Sequence, residues 1–273
     1  MDELNHLGWV VEKTFAVAGY VFGIRTNDED AGDWLSDVLG RYEVEDGEAE
    51  PYFSLWLGRD EGVGQAYHIV YREGTDVLRT LDPGLAAWRL VRELELLALR
   101  GRPNGVYLRA SVVERDDVKA LVPSDIVPRL RMAGRRVTRE LVLPFVPVVA
   151  VDPETGTLVA VGRELDVPDD AYADLARRIG EQTAGAPATH VPPHVDVVCA
   201  FAYRPDEAEI EPVSGAYAAY LFAPDVLNVA GAPAEALTAL GRLVSRSGRL
   251  LVHESDIRST YERLRAVFER PSP

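Results

Sequence analysis

"RASVVERDDVKALVPSDIVPRLRMAG", residues 109–134, decides how this chain is read. An apolar strand over Val106–Glu114, a turn at Arg115–Asp117 and a second strand over Val118–Val122 run straight into a short helix. That is the order in which an α/β protein presents a phosphate-binding loop. Such a loop needs glycines, so that consecutive backbone N–H groups point into one concavity, a lysine for the outer phosphates and a hydroxyl for magnesium. No glycine occurs between Gly105 and Gly134, and neither of the chain's two lysines, Lys13 and Lys119, follows a glycine. Strand and helix join instead through Pro123, Ser124 and Asp125. Asp125 is placed to cap the helix, Pro128 falls in its first turn, where a missing N–H costs little, and Gly134 can end it.

Outside this stretch, 273 residues with 47% hydrophobic content can bury a substantial core as one domain or two. The single cysteine, Cys199, rules out an internal disulfide and suits a reducing compartment. The N-terminal MDELNHLGWVVE is acidic where a secretory signal is basic, and the longest apolar run, Leu141–Val151, is broken by Pro144 and Pro147, so it cannot span a bilayer. A soluble cytoplasmic protein is expected. The net charge of −15 opposes nucleic acid, whose binding rests on basic residues neutralising phosphates. The charge is uneven: residues 27–50 hold ten acids against Arg41 alone, whereas residues 129–139 hold five arginines and no acid.

Strands are expected over Val17–Arg25 and Tyr52–Gly58, with a strand pair over Tyr67–Thr80 turning at Glu73-Gly74. A short helix is expected over Asp30–Leu39. A long helix opens at Pro83-Gly84 and runs to about Arg100, with Leu85, Trp88, Val91, Leu94 and Leu97 on one face. The Gly101-Arg-Pro-Asn-Gly105 break divides the chain into a small α/β unit, 1–104, and a second domain, 105–273. In the second domain, strands are expected over Leu141–Val151, Thr157–Gly162, Val195–Tyr203 and Arg249–His253. Helices are expected over Asp169–Glu181, Pro212–Phe222, Pro233–Arg246 and Asp256–Phe268, and Asp152-Pro-Glu-Thr-Gly156 reads as a turn.

"LRASVVERDDVKALVPS" resembles the segment of HPr kinase/phosphorylase-related proteins in which a Leu-His-Ala strand, a hairpin and a second strand lead into the phosphate loop. "RRVTRELVLPFVPVVAVDPETGTLVAVGREL" is similar to the part where an acidic pair precedes a strand and an Asp-Pro-Glu-Thr-Gly hairpin. "APAEALTALGRLVSRSGRLLVHESDIRSTYERLRAVF" matches the family's closing helix, strand and helix. The resemblance implies a degenerate P-loop domain with a mixed sheet and flanking helices. It departs from the family at the missing loop, at Arg109 in place of the histidine, and at Arg139 in place of the first acid, leaving Glu140 alone. The parts on which phosphoryl transfer depends are therefore gone.

The resemblance implies a non-catalytic, pseudokinase-type scaffold with no cofactor, an accessory of bacterial modified-peptide biosynthesis that binds a precursor peptide or a partner enzyme. Arg129, Arg131, Arg135, Arg136 and Arg139 fall where phosphates would otherwise bind. They read either as a site for an acidic partner, since arginine forks pair carboxylates bidentately, or as a solvated helix face. One alternative is an enzyme with a rebuilt site using Glu140 as base or metal ligand. Another is a homo-oligomeric regulatory subunit. His190-Val-Pro-Pro-His194 has helical metal-site spacing, but its prolines forbid the helix, so a loop is expected. Asp152 reads as turn-forming, Ser124 as a helix-start residue, Cys199 as core, and His253 and Glu254 carry no assigned chemistry.

Overall fold

The computed structural model describes residues 4, 6–44, 49, 51–58, 66–100, 102, 105–132, 140–143, 147–161, 164–168, 170–184, 191–203, 210–229, 232–254 and 256–269. The fold is mixed α/β. In chain order the first elements are β1 (Val11–Val17), β2 (Tyr20–Thr26), α1 (Glu29–Leu39), β3 (Pro51–Trp56), β4 (His68–Arg72), β5 (Thr75–Thr80) and α2 (Pro83–Arg100). Next come β6 (Val106–Leu108), β7 (Ala110–Arg115), β8 (Val118–Pro123), α3 (Ile126–Met132), β9 (Val149–Val151), β10 (Leu158–Ala160) and α4 (Ala171–Arg178). The chain continues with β11 (Val197–Tyr203), β12 (Ile210–Pro212), α5 (Gly215–Phe222), α6 (Pro233–Ser245), β13 (Gly248–Glu254) and α7 (Ile257–Phe268).

Two compact units result: Met1–Ala98 with Arg163–Ala188, and Leu99–Gly162 with Thr189–Pro273. A single cut after residue 104 is what the glycine-rich break predicts; the chain instead returns to the first unit for 163–188. The cause is local. Tyr172, Leu175 and Ala176 of α4 are buried, and the Ala171 carbonyl accepts the indole N–H of buried Trp34 at 2.8 Å.

The first unit is a five-stranded sheet in the order β1-β2-β3-β4-β5, with β2 and β3 parallel across α1 and the other pairs antiparallel. The sequence reading takes Val17–Arg25 as one strand and misses β1. The two are a hairpin whose turn residues, Ala18 (φ 49°) and Gly19 (φ 85°), both lie in the left-handed region, a rare conformation for alanine. Asp28 caps α1 through its carboxylate, which accepts the Ala31 N–H at 3.1 Å, and this aims Trp34, Leu35 and Leu39 inward.

α2 has the predicted limits but is buried more widely than one face: Leu90, Glu93, Glu95 and Leu99 are buried beside Trp88, Val91, Leu94 and Leu97. Its buried acids are paired. Glu93 binds Arg72 (2.8 Å) and Arg89 (2.6 Å), and Glu95 binds Arg92 and accepts the N–H groups of Glu164 (3.2 Å) and Leu165 (3.4 Å). Burial pushes the Glu95 carboxyl above its ordinary range, and Arg92 and the two amides draw it back.

The second unit holds an antiparallel sheet, β10-β9-β6, and a mixed sheet, β12-β13-β11-β8-β7. In the mixed sheet β8, β11 and β13 are parallel and the edge strands β7 and β12 antiparallel. Side chains alternate along β11. Val198 and Ala200 enter the core beneath α5 and α6, while Val197 and Cys199 enter the one beneath α3 and α7. Helices thus cover both faces, so the central strands read as continuous apolar runs. Of the predicted strand over Leu141–Val151 the described residues show Val149–Val151, with Val142 forming an isolated bridge to Glu114 and Pro147, which has no N–H to donate, standing before the strand; residues 144–146 lie outside the described residues. Among the described residues, no helix is long and apolar enough to cross a membrane.

Candidate functional site

β6 and β7 are one run in the sequence and two strands in the fold. The chain leaves one sheet after Leu108 and enters the other at Ala110, with Arg109 at the changeover. The Arg109 N–H donates to the Asp225 carbonyl (2.8 Å), and its carbonyl accepts the Ser124 N–H (3.2 Å). These two bonds gather the β6–β7 corner, the β8–α3 junction and the 3-10 turn Ala223–Asp225 at the C-terminal end of β8. In an open α/β sheet, that end of the parallel strands is where ligands are held.

The stretch after this turn is pinned along β6. Leu108 and Val226 form a bridge, and the Leu227 N–H donates to the Tyr107 carbonyl at 2.8 Å. Buried Asn228 accepts the Tyr107 N–H (3.3 Å) and donates to the carbonyls of Gly105 (2.8 Å) and Arg102 (3.2 Å). Sequence reading passes over Asp225 and Asn228, which stand as isolated polar residues in the apolar run FAPDVLNVAG.

Only Ser124 and Asp125 separate β8 from α3; Ser124 is buried and Asp125 exposed. The junction is acidic. Burial pushes the Asp225 carboxyl up to about 6, Asp125 adds to the rise, and Arg109 opposes it. Its folded-state value exceeds the ordinary range near 3.9, so folding takes up a proton between those pH values, and stability falls as pH rises from about 4 to about 6. The full difference is worth about 3 kcal/mol, and partial exposure to solvent brings it nearer 2 kcal/mol. Asp225→Asn should therefore raise the unfolding free energy by roughly 1–2 kcal/mol at pH 8 and leave it unchanged near pH 4, as urea denaturation at the two pH values will read.

Of the five arginines, Arg129 and Arg131 lie in the last turn of α3, both half-buried, and Arg135, Arg136 and Arg139 lie outside the described residues. The Arg131 guanidinium donates to the Leu143 carbonyl and so fastens the segment after α3 to that helix. Glu140 accepts the Tyr261 hydroxyl at 2.6 Å and lies 3.6 Å from Arg265 Nε, which ties it to α7.

The remaining candidates stand apart from the junction. Asp152 is turn-forming: its carboxylate accepts the N–H groups of Glu154 (2.8 Å) and Thr155 (2.7 Å), and bonding from Thr155 holds it below the usual carboxylate range. Cys199 is fully buried, which pushes its thiol up to about 12 and leaves it inert. His253 is buried with Nε2 2.7 Å from Glu211 Oε1. His190 lies outside the described residues, and His194 is exposed in an irregular segment. Among the described residues, no three His, Cys, Asp or Glu side chains converge as a metal site. No protein-family model, curated protein or solved structure matches the chain.

Proposed function

We propose that the chain is a non-catalytic binding protein on a kinase-like α/β scaffold with no seat for a nucleotide, serving as an accessory that holds a precursor peptide or partner enzyme in bacterial modified-peptide biosynthesis. The observation that carries the reading is the β8–α3 junction, where two residues join strand to helix and Asp125 and Asp225 flank the point at which phosphates would lie. A phosphate charge brought within about 5 Å of a carboxylate costs about 3 kcal/mol at an effective dielectric of about 20, and a triphosphate brings several such charges. Arg109 offsets one of them at most. The partner surface in this reading is the arginine cluster that begins with Arg129 at the end of α3.

Calorimetry should give no saturable heat with magnesium-ATP; saturable binding would overturn the reading. Fluorescence anisotropy should show a glutamate-rich peptide bound by the full chain. Arg129→Glu combined with Arg135→Glu should weaken that binding about tenfold, with Arg131 left in place because it holds Leu143. Unchanged binding in the double variant would remove the arginine cluster from the proposal.

A rebuilt enzyme is the second reading, and Asp225 is what favours it. A carboxyl poised about 6 beside Arg109 is suited to proton transfer near neutral pH. Magnesium-dependent ATP turnover abolished by Asp225→Asn would establish it in place of the first.

A further inference from the structure

At the opposite ends of the same three parallel strands lies a cavity of about 870 Å³, lined by the first residue of each: Val118 of β8, Val197 of β11 and Gly248 of β13. Its volume is that of a site for a small organic ligand. The walls are apolar where Leu243, Leu250 and Val267 face it.

The polar lining divides into groups already engaged and groups that are not. Asp196 accepts the Lys119 N–H at 2.8 Å. Ser245 donates to the Arg242 carbonyl (2.8 Å) and Ser247 to the Val195 carbonyl (3.0 Å). The Arg246 and His194 side chains, by contrast, are exposed and form no hydrogen bond or ion pair among the described residues. Arg249 lines the same cavity, and its Nε is buried with no hydrogen-bond partner. Its guanidinium is the third basic group of the lining, beside Arg246 and His194. In a chain of net charge −15, a cavity whose one acid is engaged while two arginines and a histidine stay unpaired selects an anion.

We propose that this cavity binds an organic carboxylate carrying an apolar arm: the carboxylate on the guanidinium of Arg249, with Arg246 and His194 at the mouth, and the arm against the apolar wall. A guanidinium edge matches one carboxylate bidentately, and the apolar wall gives no partner to a second charge. The same chemistry comes either from a small acid or from a peptide's C-terminus. This site is independent of the β8–α3 junction and of the function proposed above.

The probes are N-acetyl-leucine, its amide, inorganic phosphate, and an acetylated pentapeptide ending in leucine with a free or an amidated C-terminus, each titrated into the full chain by calorimetry. The acid should bind and its amide bind about tenfold more weakly or worse, with the same ratio for the two pentapeptides. Tighter binding of the pentapeptide acid than of N-acetyl-leucine assigns the ligand to a peptide terminus, and equal binding assigns it to a small acid. Arg249→Met should abolish the preference for acid over amide, and Arg249→Lys, which keeps the charge and loses the fork, should retain part of it. Acid and amide binding alike to the unaltered chain, no binding of either acid at millimolar concentration, or phosphate binding more tightly than N-acetyl-leucine would each overturn the assignment; none of these measurements depends on a variant folding.

Discussion

Glu93→Gln should lower the unfolding free energy of the first unit by about 3 kcal/mol or slightly more. The Glu93 side chain is 1% exposed and bonded to Arg72 at 2.8 Å and Arg89 at 2.6 Å, whose side chains are 24% and 11% exposed. Removing its charge while keeping its shape leaves two cations largely out of water with no counter-charge, the situation in which a broken buried pair costs most. Asp37→Asn is the control. Asp37 pairs with Arg178 at 2.6 Å but is 64% exposed, and such a pair is worth about 0–1 kcal/mol. The measurement is straightforward because all four tryptophans, Trp9, Trp34, Trp56 and Trp88, belong to the first unit, so their fluorescence during denaturation reports that unit alone. Equal effects of the two substitutions would mean that Glu93 is hydrated and that its burial carries no energetic weight.

That result bears on what could be read from the sequence. The periodicity of Leu85, Trp88, Val91, Leu94 and Leu97 gives α2 its limits, because apolar spacing is a property of the helix itself. The Arg92-Glu93-Leu94-Glu95 run within it is charged at three of its four positions, and both of its acids are buried. Arg89 and Arg92 pair with these acids along the helix, and the sheet that brings Arg72 beside Glu93 and the 163–188 segment that lays its amides on Glu95 complete the pairing that makes their burial tolerable. The helical pairs are spacings visible in the sequence, while the sheet and the 163–188 segment are tertiary facts that leave no mark on local composition. Turns divide the same way. Glu73-Gly74 and Ala18-Gly19 share one backbone conformation, φ 49° followed by φ 83° or 85°, but the charged Glu73 interrupts its apolar strands while Ala18 continues the apolar run and hides the turn, and β1 goes unread with it.

The candidate site was half legible for a related reason. Absence of a glycine-lysine element is a statement about sequence, and the fold joins β8 to α3 through two residues, Ser124 and Asp125. The other half comes from more than a hundred residues downstream, where Asp225 is set against Arg109 through backbone bonds that no side-chain pattern encodes. Arg109 is also the residue at which one apolar run changes sheets. A continuous apolar run cannot reveal such a change, because the strands on either side of the corner are buried residue after residue.

Asn228 pins the stretch that follows Asp225 to β6, and Asn228→Ala should cost the second unit about 3–5 kcal/mol. The side chain accepts one N–H and donates to two carbonyls in a buried setting, so its loss strands the Tyr107 amide and the carbonyls of Gly105 and Arg102 together. Each stranded group costs about 1–3 kcal/mol, reduced where water can enter. Asn228→Asp should do no better, since it keeps the acceptor for Tyr107 but turns oxygens toward two carbonyls. Tryptophan fluorescence is silent on this unit, so the loss is to be read by hydrogen exchange of the β11 and β13 amides under native conditions. The site supplies a second readout. If the pairing of residues 226–228 with β6 is what buries Asp225, its carboxyl should fall from about 6 toward the ordinary range in Asn228→Ala, as a carbon-13 carboxyl titration would follow. A destabilised variant whose Asp225 still titrates about 6 would show that the burial has another cause, and would detach the acidic junction from the strand that frames it.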